Sequence, residues 1–366
     1  MLKHTLGTAL LAAGLLAGTG AVHADPMADA QATVDQYASR VTDWDGPTSG
    51  PQAVEGKTIA VLAGDMKNGG ILGVADGVQE AGAVLGWNIR VLDGAGSVQS
   101  RTAIFNQALA LQPDAIAILG FDAIEQQVGV EAAKEAGIPL VSWHAGPKIG
   151  PDPENGIFTN VTTDPMEVSA SAARWAFIDA GGAPKVIIFT DSCCAIALAK
   201  ADRIQQEIEA LGGEVLEYVD TPIADTANRM PTLTTALLQR YGENWTHSIA
   251  INDIYFDFMG PSLAAAGIGG ADRPVAVAAG DGSESAYQRI RTGQYQAVTV
   301  AEPLNLQGWQ LVDEMNRAIQ GEEPSGYVSP LHIVTADNID FDGGQNNVFD
   351  PENGYRDQYM AIWGKN

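Results

Sequence analysis

From Lys57 onward the chain alternates two hydrophobic patterns. Residues 58–63 (TIAVLA) form an unbroken apolar run, as a strand covered on both faces requires. Ile71, Val74, Ala75, Val78 and Leu85 then recur at helical spacing until Gly86 stops them. Strand runs return at 88–92, 115–119 and 138–143. Between them lie helix faces marked by Ile104, Phe105, Ala108 and Leu109, and by Ile124, Val128 and Ala132. After Asn160 the series restarts. A helix over 166–180 ends at Gly181-Gly182, and strands follow at 185–190, 214–219, 248–251, 275–279 and 297–301, with helices between them. A helix over 304–320 and a strand over 331–335 come last. Strands alternating with amphipathic helices at this spacing predict parallel βαβ units, here an α/β chain of two doubly wound lobes.

The ends read differently. Residues 1–24 combine Lys3, an uncharged small and apolar run, and Val22-His23-Ala24, the pattern of a leader cleaved after Ala24. The run is too short and too rich in Gly and Ala for a membrane span of about 20 strongly apolar residues. Periplasmic export without membrane insertion is expected. Residues 25–42 look helical and polar, and 43–51 are a turn-rich linker, so 25–54 reads as a peripheral extension. The tail from Asp337 is acidic, Gly/Asn-rich and irregular.

The formal net charge is −25. A polyanion repels nucleic acid and anionic lipid, which disfavours both as partners and favours solubility.

In open parallel sheets, ligands bind beyond the carboxyl ends of the strands. Six loops qualify. They carry Asp65 and Asn68; His144; Asp191, Cys193 and Cys194; Asn252; Asp281; and Glu302. Asn and Asp there orient hydroxyls, though Asn68, Asn252 and Asp281 are equally placed to cap the next helix. His144 reads either as a ligand contact or as a loop histidine, and Trp143, pointing the other way, reads as core.

Taken together, residues 58–79, 112–142, 251–253, 280–282 and 301–303 resemble the ribose- and galactose-type periplasmic solute-binding proteins, the type I family. The likeness runs from about Lys57 to Thr335. It implies a three-crossover hinge near Thr162, Glu302 and Val334. Lobe 1 is then expected at 55–161 plus 303–334, lobe 2 at 162–302, and a tail over 335–366 packing on the lobes. It implies no enzymatic activity and no cofactor. It also implies a monomer whose hinge closure on a small solute is read by an ABC transporter permease, with a membrane signalling partner as the alternative. Ligand positions carried over are Asn68, His144, Asn252, Asp281 and Glu302. The chain departs from the ribose pattern: Gly70-Ile71 stand where aromatics are common, and His144-Ala145 and Cys193-Cys194 stand where arginines are expected. Without those guanidinium forks the cleft looks acid-rich and short of cations. A neutral sugar or polyol is favoured over an amine, for which Tyr255, Phe256 and Phe258 would be aromatic contacts.

The adjacent cysteines read either as a vicinal disulfide lining the cleft or as two small core thiols. With His144 they also form a weak candidate metal set, but none of the usual spacings supports it. Residues 340–347 resemble a calcium loop only loosely. Asp281 and Glu302 could pair as glycosidase carboxylates, yet no nucleophile elbow, phosphate loop or dinucleotide fingerprint accompanies them.

Overall fold

Strands walled by helices on both sides have no solvent face to mark with polar residues, which is why the central runs are uniformly apolar. The computed structural model of the protein describes residues 25–365, so the leader and its cleavage point lie outside the described residues. Lobe 1 is built on β1 (Thr58–Ala63), β2 (Asn88–Asp93), β3 (Ala115–Leu119), β4 (Leu140–Trp143), β5 (Gly150–Asp152) and β6 (Ile157–Val161), in the order β2-β1-β3-β4-β6-β5. Only β5 and β6 pair antiparallel, in an edge hairpin that the apolar pattern does not reveal. Helices α2 (Gly69–Val84), α3 (Val98–Ala110), α4 (Gln127–Glu135) and α10 (Leu304–Gln320) belong to this lobe.

Lobe 2 contains β7 (Lys185–Thr190), β8 (Glu214–Asp220), β9 (His247–Ala250), β10 (Val275–Ala278), β11 (Gln296–Ala301) and β12 (His332–Thr335), in the order β12-β11-β10-β9-β7-β8. Its helices are α5 (Pro165–Asp179), α6 (Ala195–Ala210), α7 (Thr226–Tyr241), α8 (Gly260–Ala265) and α9 (Glu284–Thr292). β12 pairs antiparallel with β11, which corrects the expectation that lobe 1 extends through residue 334. Val334 lies opposite Thr299 inside this sheet, so the third crossing precedes it, between α10 and β12. Thr162 and Glu302 do fall in the other two connections.

The buried face of α4 is also displaced from the expected one. Val130 and Ala133 are buried, while Ile124 and Val128 are 66% and 83% exposed. A 3-10 turn, Ala123–Gln126, precedes the helix and shifts the phase.

The two ends are more integral than their composition implies. Helix α1 (Pro26–Ala38) puts Ala30 and Val34 into the interior, Val34 within the lobe 2 core beside α5. The chain then passes to lobe 1, where Trp44 packs on Tyr327 and Tyr359 at centroid distances of 5.3 and 5.5 Å. Arg317 holds the Ser49 carbonyl at 2.9 Å. The tail does the same. Ile339 and Phe349 pack with Tyr287 and Ile290 of lobe 2, and a helix that the sequence pattern does not predict, α11 (Tyr355–Trp363), docks on α10. Trp363 stacks on Trp309 at 5.5 Å and donates to Asp313 at 2.8 Å. The termini thus add two crossings to the three of the hinge. The calcium-loop resemblance dissolves here: Asp340 pairs with Arg291, and Asp342 accepts the Val41 and Glu352 amides.

Beside this junction Glu314 of α10 is buried, and desolvation pushes its pKa up to about 7 despite hydrogen bonds from Ser325. Because the folded pKa lies above the unfolded one, its contribution is most favourable below about pH 4.5 and is lost as pH rises through 7. Glu314→Gln is therefore expected to leave stability at pH 4.5 nearly unchanged and to raise it by about 2–3 kcal/mol at pH 8, by urea unfolding at both pH values.

Candidate functional site

The carboxyl ends of the two sheets face each other, and the loops that leave them enclose a small cavity of about 60 Å³. It adjoins a recess of about 350 Å³ at the cleft mouth, and the two share Asn68, Asn252 and Asp281. The lobes are closely apposed around it. A Cβ on Gly70 of α2 would lie 2.3 Å from Asp281 Oδ2, and one on Gly69 2.7 Å from the Ser283 Cβ.

Asn68 and Asn252 turn out to be caps and wall residues at once. The Asn68 Oδ1 accepts from the amides of Gly70 and Ile71 at 2.9 and 3.3 Å, and the Asn252 Oδ1 from that of Ile254 at 3.2 Å. Using the oxygen for capping leaves each side-chain NH2 as a donor toward the cavity.

His144 has a backbone φ of +52°. A non-glycine residue held there costs of order 1–3 kcal/mol, strain of a kind that concentrates at functional sites. The ring lies flat on Trp143, with centroids 3.7 Å apart, and its Nε2 is 3.1 Å from Glu302 Oε2. The same oxygen accepts from Gln307 Nε2 at 3.0 Å and from the Thr163 amide at 3.4 Å. Burial alone would push Glu302 up, but His144, Lys200 and Gln307 outweigh it and hold the carboxyl well below its usual range. Glu302 is consequently a hinge brace behind His144, not part of the cavity wall. Trp143, expected only in the core, packs there but also walls the cavity, with its Nε1 donating to Gln307 at 2.8 Å.

Asp281 is buried at the wall, and among the described residues nothing donates to its carboxylate. Burial raises its pKa, Lys200 and His144 pull it down, and Glu302 and Asp253 push it up further. Lys200 is the residue that sequence reasoning misses. It stands in α6, is 3% exposed, lines the cavity, and makes no ion pair or hydrogen bond among the described residues. Its Nζ would be 2.9 Å from a Cβ on Gly280, which places it at the base of the Asp281 loop. The cleft is therefore not short of cations. The signal lies in the helical spacing of Lys200 from Ile196 and Ala197, which share the wall, but a lysine on a helix reads by default as solvated.

Cys193 and Cys194 are joined by a disulfide between neighbours, and Cys194 lines the cavity while Cys193 is exposed. That removes both sulfurs from any thiolate metal set. Asp65 and Asp191 do not reach the wall. Asp65 accepts the Lys67 amide at 3.0 Å, and Asp191 braces the disulfide loop through the amides of Cys193 (2.9 Å) and Ile223 (2.8 Å). Tyr255 and Phe256 lie in the lobe 2 core with Phe258 packed against it, so these aromatics do not line the cavity. His144, Asp281 and Glu302 bring donor atoms within 4.8 Å of one another. With Glu302 already accepting three hydrogen bonds and the Lys200 ammonium alongside, they form a charge-compensated polar cluster. The Glu302 carboxylate is likewise not free to act as a glycosidase acid or base.

No helix among the described residues is long and apolar enough to cross a membrane. No curated protein matches the chain. Solved structures match over most of their length. An ABC transporter solute-binding protein from Agrobacterium vitis with bound α-D-tagatopyranose has a TM-score of 0.70 at 17% identity, covering 80% of this chain and 99% of that one. Another from the same organism, with bound allitol, gives 0.67 at 19% identity over 80% and 98%. An ABC sugar transporter subunit from Rhodobacter sphaeroides gives 0.67 at 20% identity over 77% and 99%. The periplasmic binding protein domain matches residues 59–323, which include strands of both sheets, and the chain belongs to that family.

Proposed function

We propose that this chain is the exported substrate-binding component of an ABC importer, a monomer that closes its lobes on a small neutral sugar or polyol and presents the closed form to a membrane permease. The observation that carries the ligand class is the pairing of charges in the cleft. Lys200 and Asp281 face the cavity with no direct partner among the described residues, while His144 and Glu302 satisfy each other. A hydroxyl accepts from Lys200 and donates to Asp281 in one contact, which is the bonding a neutral polyol offers. Asn68 and Asn252 add donors, and Cys194, Ile71, Ile196 and Ile251 give an apolar wall suited to the C–H face of a sugar. The tagatopyranose- and allitol-bound relatives agree with this class. An amine fits less well, because Lys200 repels it and the aromatics that would receive it are in the core.

No covalent chemistry is involved. The solute bridges Asn68 and His144 of lobe 1 to Lys200, Asn252 and Asp281 of lobe 2, and its preference for the shut form moves the population. The test is a thermal-shift screen of residues 25–366 against allitol, D-tagatose, other neutral sugars and polyols, sugar acids and small amines. A neutral compound at 100 times its Kd stabilises by about 2.7 kcal/mol. Shifts confined to amines or to sugar acids would overturn the ligand class.

A further inference from the structure

Two capping positions near the cleft forgo their local partners. Cys194 is the N-cap of α6, yet its side chain accepts nothing from the helix, and the first turn of α6 holds no acidic residue. Asp122 is the N-cap of the 3-10 turn Ala123–Gln126 in lobe 1, yet its side chain accepts nothing from that turn. Instead Asp122 Oδ2 reaches across the cleft and accepts the Ala195 amide, the first of α6, at 2.9 Å. An aspartate is among the best acceptors for an orphan helix amide, and its charge opposes the positive end of the helix dipole. Here that acceptor comes from the opposite lobe.

Both sides of this contact are held rigidly. On lobe 1, Arg101 grips Glu125 through two bonds of 2.7 and 2.6 Å and lies 5.5 Å from the Phe121 ring, fixing the loop that carries Asp122. On lobe 2, the disulfide and the Asp191 carboxylate fix the backbone that presents the Ala195 amide. The lobes also touch nearby, where a Cβ on Gly96 would be 2.7 Å from that of Ala224. Asp122 does not line the inner cavity.

We infer that Asp122 is a positioning residue for closure: it caps α6 only when the lobes are shut, and so stabilises the shut form without touching solute. The inference rests on the two-lobe closure described above. Burial raises the pKa of Asp122, and its Oδ1 has no partner among the described residues, so the contact exposes the carboxylate to a desolvation penalty that opening relieves. The bond is therefore reversible, as a latch must be.

The test uses full-length mature protein without solute, so its failure is separable from a failure of the ligand class. Amide hydrogen exchange at Ala195 is measured in the native chain, Asp122→Ala and Asp122→Asn, alongside the radius of gyration by small-angle scattering and the urea midpoint. In Asp122→Ala, Ala195 exchange is expected to accelerate about tenfold, with a shift toward a larger radius of gyration. Asp122→Asn keeps an acceptor and is expected to restore most of the protection. The urea midpoint is expected to fall by no more than the weakened shut form accounts for, because the side chain supports nothing within its own lobe. Equal Ala195 exchange in native and Asp122→Ala protein would overturn the inference. So would faster exchange with an unchanged radius of gyration, since that would make Asp122 an ordinary structural residue.

Discussion

Lys200→Met lowers affinity for the sugar or polyol by about 10–100-fold and at the same time lowers the melting temperature of the solute-free protein. The affinity loss follows from deleting a hydrogen bond from a charged donor, a contact of about 1.5–3 kcal/mol. The loss of stability follows from the same burial. Lys200 is 3% exposed, and its charge is among those that pull down the buried Asp281 and Glu302 carboxyls, so its removal leaves both less compensated. Methionine has similar length and no charge, and it fills the same space beside Ile196 and Ala197. Calorimetric titration and thermal unfolding of the same preparations decide the matter. If the melting temperature falls while affinity is unchanged, Lys200 serves only the fold, and the pairing of Lys200 with Asp281 no longer identifies a neutral solute.

Gly70→Leu produces the other large effect. A Cβ built on this glycine would lie 2.3 Å from Asp281 Oδ2 and 2.8 Å from the Asp281 Cβ, so any side chain becomes a wedge between the lobes. Since the residue sits in the first turn of α2, where leucine is a better helix former than glycine, the lobe itself is not harmed. The expected outcome is a protein of unchanged or slightly higher stability that has lost solute binding by more than about 100-fold, because overpacking of a rigid contact costs several kcal/mol. Small-angle scattering should show it more open than native in the presence of solute. Native-like closure in this variant would mean that Asp281 moves aside, and that the apposition of Gly70 with Asp281 is not a requirement of the shut form.

The alternation of apolar runs and helical stripes is enough to read two lobes of parallel sheet, because both-face burial leaves an unmistakable mark on strands such as 58–63 and 115–119. The rule that ligands gather at strand ends brings Asn68, His144, Cys194, Asn252 and Asp281 to one cavity wall. It fails where a side chain acts through distance or through the backbone. Lys200 enters the site from the second turn of a helix, beyond the loop to which the rule applies. Asp65 and Asp191 have the right chemistry at the right strand ends, but they spend their carboxylates on local amides. The ends of the chain mislead for a compositional reason. Helix α1 buries only Ala30 and Val34, and the buried stripe of α11, Tyr355, Tyr359, Ile362 and Trp363, is short and follows a Gly- and Asn-rich stretch that reads as irregular, although Trp44, Tyr359 and Trp363 supply large rings to the packing.

The course of the termini has a practical corollary. Helix α1 rides on lobe 2 and helix α11 on lobe 1, so the two ends of the described chain belong to different moving bodies. Fluorophores or fused reporter domains attached at the two ends would travel with opposite lobes, turning the hinge angle into an end-to-end distance with no label placed in the cleft.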